Sequence, residues 1–224
     1  MFRLVADWVL NIVARMLFRL ELVGQENVPR SGPFIAMMNH IYFLDPVLVG
    51  LLTRRKVIIM SKIENYRNLL FRPILYLYGT FPVRRGELDM VAIRKSLAVL
   101  GRGQGLLMAP EGTRSRDKTL QPGLDGIAWL AVRSEAPLVP VALSGQEKLG
   151  HNLRRLRRTP LRVEYGEAFL LKAQGRLSRE QRRQMTDEAM YRLAAMLPPP
   201  YRGVYSDLDK ATSEYLVPYR EDED

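Results

Sequence analysis

A short apolar run in the first quarter of the chain, Phe34–Met38, is bounded by Gly32-Pro33 before it and by Asn39 after it. Five consecutive apolar residues without alternation are typical of a strand that is buried on both faces of a parallel sheet. The Asp45-Pro46 pair that follows is typical of a helix N-terminus, with Asp45 as the predicted N-cap and Pro46 as the first helical residue. The pattern therefore predicts a strand, a short connection and a helix.

Similar alternation continues along the chain. Further strands are predicted at 57–60, 80–83, 105–108, 138–143 and 161–165, and further helices at 87–100, 123–133 and 178–197. Strands that alternate with helices indicate a mainly parallel sheet flanked by helices. With 224 residues and 47% hydrophobic content, the chain suits one α/β domain. We assign this domain to residues 21–200 and predict a polar, loosely held C-terminal tail at 201–224.

The first 20 residues are mostly apolar, but they carry three arginines and one aspartate. These charges argue against a membrane-spanning helix, which needs about 20 predominantly apolar residues. The segment also lacks the cleavage site of a signal peptide. Together with Trp8, the pattern predicts an amphipathic helix at 1–20 that lies in a membrane interface. The alternative is a helix that packs on the domain.

The charge balance indicates an anionic partner, because the formal net charge is +10. An anionic membrane surface, a phosphorylated substrate and a nucleic acid would each fit, but the chain carries no nucleic-acid-binding signature. It contains no cysteine and only two histidines. Disulfides are therefore excluded, and a metal site is not expected.

The strand-to-helix connection carries His40 and Asp45 in a His-x4-Asp spacing. On one continuous helix these residues would diverge by about 140°, whereas across a turn they can meet. Asp45 can then orient the imidazole of His40 and stabilise its protonated form, so that His40 removes a proton from a substrate hydroxyl. The alternative is that Asp45 only caps the helix and His40 is an ordinary loop histidine.

A second cluster, Glu111-Gly112-Thr113-Arg114, follows the predicted strand at 105–108. In open α/β sheets, ligands bind outside the carboxyl ends of the strands. Glycine allows close backbone approach, and Arg114 can hold a phosphate with two hydrogen bonds. Arg85 follows the strand at 80–83 in the same way. The alternative is an ordinary turn with solvated arginines.

Taken in order, four segments resemble the four sequence blocks of the 1-acylglycerol-3-phosphate acyltransferase family. They are Asn39-His40 with Asp45, residues 79–85, residues 110–115 and Val139-Pro140-Val141. The resemblance extends over about residues 28–145. It implies that His40 is the catalytic base with Asp45 as its partner. It also implies that Arg85 and the Glu111-Gly112-Thr113-Arg114 turn form the glycerol-phosphate site.

The same resemblance implies a function in phospholipid biosynthesis. A fatty acyl group would pass from acyl-CoA or acyl-carrier protein to the sn-2 hydroxyl of 1-acylglycerol 3-phosphate, giving phosphatidic acid, with no metal or other cofactor. The enzyme would be peripheral or monotopic on the cytoplasmic face of a bacterial cell membrane. The alternatives are acylation of another lysolipid or of glycerol 3-phosphate, and a non-catalytic basic module that docks on membranes.

Overall fold

The computed structural model describes residues 2–67, 72, 75, 79–83 and 89–221. The helices are α1 (Phe2–Leu17), α2 (Asp45–Leu52), α3 (Met90–Gly101), α4 (Gly126–Ser134), α5 (Leu149–Leu153) and α6 (Arg179–Met196). The strands are β1 (Phe18–Val23), β2 (Phe34–Met38), β3 (Val57–Lys62), β4 (Phe81–Val83), β5 (Gly105–Met108), β6 (Leu138–Ser144), β7 (Thr159–Tyr165), β8 (Phe169–Leu171) and β9 (Leu216–Pro218).

These strands form one sheet in the order β1-β7-β6-β2-β5-β3-β4, from which β8 and β9 branch at β6. All neighbouring strands from β6 to β4 are parallel. Strand β7 is antiparallel to β6, and β1 is parallel to β7. The predicted α/β fold with a mainly parallel sheet is therefore confirmed.

This topology brings several chain segments to one edge of the sheet. Since β2, β5 and β6 are parallel, their carboxyl ends lie side by side, with Met37 opposite both Met108 and Pro140. The antiparallel pairing of β6 with β7 places the start of β7 at the same edge, because Ser144 lies opposite Arg162. Strand β1 also starts there, since it is parallel to β7. We call this the upper edge of the sheet.

The hydrophobic core lies on both faces of the sheet, and central strand β2 contributes to both. Ile35 and Met37 belong to a cluster that includes residues of α3, α4 and α6. Phe34, Ala36 and Met38 belong to a second cluster with residues of α1, α2 and α5. Every residue of β2 is buried. The continuous apolar run is thus explained, because a strand with helices on both faces has no solvent side.

The N-terminal helix is formed, but its predicted end at residue 20 and the domain boundary drawn there are wrong. Helix α1 ends at Leu17, and the chain continues directly into β1, which pairs with β7. The missed signal is the alternation of apolar and charged residues in Phe18-Arg19-Leu20-Glu21-Leu22, which is typical of a strand. Among the described residues, no helix is both long and apolar enough to cross a membrane.

The prediction of a loosely held C-terminal tail is also wrong for its described part. Tyr205 is buried, and its hydroxyl donates a hydrogen bond to Asp187 of α6 at 2.8 Å. Strand β9 pairs with β8. The carboxylate of Glu188 accepts hydrogen bonds from residues Thr212, Glu214 and Tyr215 of this segment. The segment therefore belongs to the domain, because a buried acid on α6 binds its polar groups.

Candidate active site

His40 and Asp45 meet across the connection between β2 and α2, as the sequence predicted. The Nδ1 atom of His40 lies 3.2 Å from Oδ2 of Asp45. Asp45 is fully buried, whereas His40 retains 7% of its surface accessible. Because Nδ1 faces the carboxylate, Nε2 is the ring nitrogen left to interact with another group.

Asp45 does not act as the predicted N-cap of α2. It is the first residue of the helix, the N-cap position is Leu44, and no side chain caps this end. Oδ2 of Asp45 instead accepts hydrogen bonds from the amides of Ile41 and Tyr42, at 2.8 and 2.7 Å. Its carboxylate therefore turns back onto the connection that carries His40, where these two amides are the available donors. This arrangement fixes the position of the carboxylate relative to the imidazole.

Two further side chains hold the pair to β6, and the sequence analysis did not assign either of them. Gln146, which is fully buried, donates a hydrogen bond from Nε2 to Oδ1 of Asp45 at 3.1 Å. Asn39 forms two hydrogen bonds with the backbone of Leu143, at 2.9 and 2.8 Å. The position of Asn39 next to His40 in the sequence could have indicated that it belongs to the site. Nothing in the sequence indicated a role for Gln146, because it lies 101 residues from Asp45.

The turn after β5 holds the backbone of His40. Its amide donates to Oε1 of Glu111 at 3.0 Å, and its carbonyl accepts from the amide of Ser115 at 2.8 Å. Oε2 of Glu111 accepts a second backbone hydrogen bond, from Gln121 at 2.9 Å. Both oxygens of Glu111 thus bind backbone amides, so this carboxylate contributes to the site by positioning His40.

Burial raises the pKa of Glu111 to about 7. The loss of solvation is the largest cause, the two amide hydrogen bonds lower the pKa, and the nearby charge of Asp45 raises it. Glu111 is therefore a buried acid with a strongly raised pKa, and it lies beside the candidate catalytic dyad, His40 and Asp45.

The other predicted binding residues lie on the surface of the same turn. Thr113 and Arg114 are exposed. Gly112 has a φ of 68°, a left-handed backbone conformation that favours glycine. The structure brings this turn next to His40, whereas Arg85 lies in 84–88, outside the described residues.

The described part of the chain contains no group of three or more His, Cys, Asp or Glu side chains that could hold a metal ion. The chemistry available to the site is that of the His40 imidazole, which Asp45 orients. An oriented imidazole can act as a general base toward a hydroxyl.

A family model described as Acyltransferase matches residues 19–144, more than half of the chain. The chain belongs to the acyltransferase family. The matched region of this family member contains His40, Asp45 and the Glu111–Arg114 turn.

Several curated relatives are similar to this acyltransferase-family chain. The chloroplastic 1-acyl-sn-glycerol-3-phosphate acyltransferase BAT2 of Brassica napus is 26% identical over 59% of this chain and 39% of its own length. The 1-acyl-sn-glycerol-3-phosphate acyltransferase of Borreliella burgdorferi is 26% identical over 56% and 51%. The lyso-ornithine lipid O-acyltransferase of Pseudomonas aeruginosa is 30% identical over 63% and 54%. The matches thus span between about two-fifths and just over half of these relatives.

Among solved structures, the 1-acyl-sn-glycerophosphate (LPA) acyltransferase PlsC from Thermotoga maritima matches with a TM-score of 0.58. The match covers 84% of each chain at 21% sequence identity. At this identity the comparison establishes that the two chains share a fold.

The raised pKa of Glu111 leads to a prediction about stability. A folded-state pKa of about 7, above the usual 4.5, means that the folded protein binds this proton more tightly than the unfolded chain. The stabilisation is complete below pH 4.5 and is lost as the pH rises through 7. Between pH 4.5 and 8 we expect the group to lower the free energy of unfolding by about 3 kcal/mol. Glu111→Gln, which cannot ionise, should lack this loss in urea unfolding.

The matched control is Glu167→Gln, because Glu167 is exposed and the substitution is chemically the same. This variant should keep the pH dependence of the original protein. Identical pH dependence in the Glu111→Gln variant would show that Glu111 does not bind the proton.

Proposed function

We propose that this protein is an O-acyltransferase that converts 1-acylglycerol 3-phosphate to phosphatidic acid in phospholipid biosynthesis. The observation that carries the proposal is the His40–Asp45 pair, 3.2 Å apart, at the upper edge of the sheet in a chain of the acyltransferase family. The acceptor is supported by the relatives named for it and by the exposed Arg114 on the turn that binds the His40 backbone.

In the proposed mechanism, Nε2 of His40 removes the proton from the sn-2 hydroxyl of the acceptor. The hydroxyl oxygen attacks the thioester carbonyl and forms the new ester bond, and the carbon–sulfur bond breaks. The departing thiolate takes the proton from His40, so the base is regenerated. The Asp45 carboxylate stabilises the imidazolium between these steps. We propose that the reaction uses no metal or cofactor beyond the donor, which is acyl-CoA or acyl-carrier protein.

The direct test measures thiol release from an acyl thioester together with the lipid product, using acceptor dispersed in detergent. Release that depends on 1-acylglycerol 3-phosphate and yields phosphatidic acid is the expected result. Absence of release with either donor would contradict the enzymatic proposal and favour a basic membrane-docking module.

A second candidate acceptor is another lysolipid, because the relative from Pseudomonas aeruginosa is named for a lyso-ornithine lipid. Such an acceptor lacks the phosphate that we assign to Arg114. A panel with lyso-ornithine lipid, glycerol 3-phosphate and 1-acylglycerol 3-phosphate separates the candidates by their kcat/KM values.

The acceptor phosphate is proposed to bind Arg85 and Arg114, beside the Glu111–Thr113 turn. Replacing Arg114 by Ala removes a charged donor from the exposed turn next to His40. We expect the KM for 1-acylglycerol 3-phosphate to rise about tenfold or more, with a smaller change in the KM for the donor.

Arg94→Ala is the matched control, since Arg94 is an exposed arginine on α3. It removes the same charge and should leave both KM values unchanged. A rise in the donor KM alone for Arg114→Ala would assign Arg114 to the donor instead.

We also propose that α1 lies on an anionic bilayer surface at the cytoplasmic face of the membrane. Trp8 is 67% exposed and Met16 is 69% exposed, whereas Ala14 of the same helix is buried. The helix thus presents apolar side chains outward while another side packs on the domain. Exposed apolar residues with arginines beside them suit the headgroup region of a bilayer.

A further inference from the structure

A cluster of arginines and leucines runs from the last residue of α5 to the start of β7, and the proposed reaction does not use it. It consists of Leu153-Arg154-Arg155-Leu156-Arg157-Arg158, and we call it the arginine-leucine loop. All six residues are exposed. Leu156 is 94% exposed and Leu153 is 52% exposed. Leu156 also has a φ of 52°, a conformation that is uncommon for a bulky residue. The loop therefore presents two apolar side chains within a strongly basic surface.

The loop lies at the upper edge of the sheet, which also carries His40. It leads into Thr159, the first residue of β7, and Thr159 pairs with Phe18, the first residue of β1. The guanidinium of Arg158 donates two hydrogen bonds to the Phe18 carbonyl, at 2.7 and 3.2 Å. The loop is thus attached to the junction between α1 and β1.

This attachment places the loop next to the C-terminal end of α1. Met16 lies two positions before Phe18, and Arg15 and Arg19 are exposed around it. The junction therefore combines exposed apolar and basic groups from two elements that are far apart in sequence.

We propose that the arginine-leucine loop is a second membrane-docking element, which works together with α1. Leu153 and Leu156 enter the boundary between headgroups and acyl chains, and Arg154, Arg155 and Arg157 bind anionic headgroups. The upper edge, with His40, then faces the bilayer that holds the acceptor. This last point rests on the proposed function, because it assumes a lysolipid acceptor.

The chemistry of the loop favours a lipid surface over a nucleic acid. Each basic residue near an anionic bilayer contributes about 1 kcal/mol, and apolar side chains gain further free energy by leaving water. A nucleic acid would satisfy the arginines but would offer no comparable apolar environment to Leu156. The loop is joined to the residue that follows α1, and the exposed apolar residues Trp8 and Met16 of that helix favour the same partner.

The first test replaces Leu156 by Asn, because asparagine tolerates positive φ values and removes the apolar group. Binding is measured by co-sedimentation with vesicles of phosphatidylcholine and phosphatidylglycerol at a ratio of about 2:1. We expect an affinity about tenfold lower than that of the original protein. The control is Val91→Asn, since Val91 is an exposed apolar residue of α3. Unchanged binding by the Leu156→Asn variant would overturn the proposal.

The second test removes charge with the triple variant Arg154→Gln, Arg155→Gln, Arg157→Gln. Arg158 is retained because it holds the Phe18 carbonyl. At about fivefold for each arginine, the affinity for anionic vesicles at low salt should fall by about two orders of magnitude. The variant Arg94→Gln, Lys95→Gln, Arg102→Gln removes the same charge from exposed positions of α3 and the residue after it. Equal losses in the two triple variants would mean that net charge alone governs binding, and would overturn the assignment.

A third experiment measures binding to a DNA duplex and distinguishes a lipid surface from a nucleic acid as the partner of the loop. If the loop triple variant loses binding to a DNA duplex but keeps its affinity for anionic vesicles, the loop is a nucleic-acid surface and the proposal fails.

Thiol release by the original protein in detergent tests the enzymatic function separately. Loop-dependent vesicle binding without thiol release would leave the docking element standing and contradict the acyltransferase function. Thiol release without loop-dependent binding would support the acyltransferase function and contradict the docking element.

Discussion

Replacing His40 by Ala is expected to lower kcat by about 10²- to 10⁴-fold, because it removes the proposed general base. The fold should persist, since Asp45 would keep its hydrogen bonds from Ile41, Tyr42 and Gln146. No buried carboxylate would therefore lose all its partners. Thiol release from the acyl donor, measured with detergent-dispersed acceptor, gives the size of the effect, and thermal unfolding checks the fold.

The chain offers a matched control, because its other histidine is His151, an exposed residue of α5. His151→Ala should retain the activity of the original protein. A folded His40→Ala variant with nearly normal kcat would exclude His40 as the base, and the upper-edge mechanism with it.

Replacing Asp45 by Asn is expected to lower kcat by about 10²- to 10⁴-fold as well, while leaving the protein folded. The asparagine oxygen can take the place of Oδ2 and accept the hydrogen bonds of Ile41 and Tyr42. Its amide nitrogen then faces Gln146, whose Oε1 is buried without a hydrogen-bond partner among the residues that the structure describes. A rotation of the Gln146 amide supplies the acceptor. The substitution thus removes the charge of Asp45 and preserves its hydrogen bonds.

This design separates electrostatic stabilisation from positioning. kcat is measured at saturating acceptor and donor, together with the midpoint of thermal unfolding. Asp45→Ala is the comparison variant, since it leaves the amides of Ile41 and Tyr42 without their acceptor and should also destabilise the protein by about 1–3 kcal/mol or more. If Asp45→Asn keeps the kcat of the original protein, the negative charge of Asp45 does not assist His40.

The local sequence pattern was sufficient to predict the central strand β2 and the contact between His40 and Asp45. The apolar run Phe34–Met38 can be buried on both sides only in a sheet with helices on both faces, and the structure has that arrangement. The Glu111–Arg114 turn was also placed correctly at the end of a strand. These features follow from interactions between residues that are near in sequence, or from burial that the residue types themselves indicate.

Other assignments failed where residues far apart in sequence decided the structure. Helix α1 was extended into β1 because apolar residues continue from one into the other. The alternation over residues 18–22 already indicated a strand, and the pairing of Phe18 with Thr159 fixes its start. The tail after residue 200 looked loosely held because its partner, Glu188, lies in the preceding helix. The N-cap assignment of Asp45 failed for a local reason, because its carboxylate binds the nearby amides of Ile41 and Tyr42 instead of an amide of α2.

The amino-acid sequence by itself determined the α/β class, the candidate dyad and the family resemblance, since each depends on residue types at short spacing. Only the tertiary structure decided how the dyad is held. Gln146 reaches Asp45, and Glu111 binds the amide of His40. Arg158 joins the arginine-leucine loop to Phe18, at the junction between α1 and β1. The parallel register of β2, β5 and β6 creates the first two contacts, and the pairing of β1 with β7 creates the third. No local pattern encodes these contacts, because strand pairing joins segments that are distant along the chain.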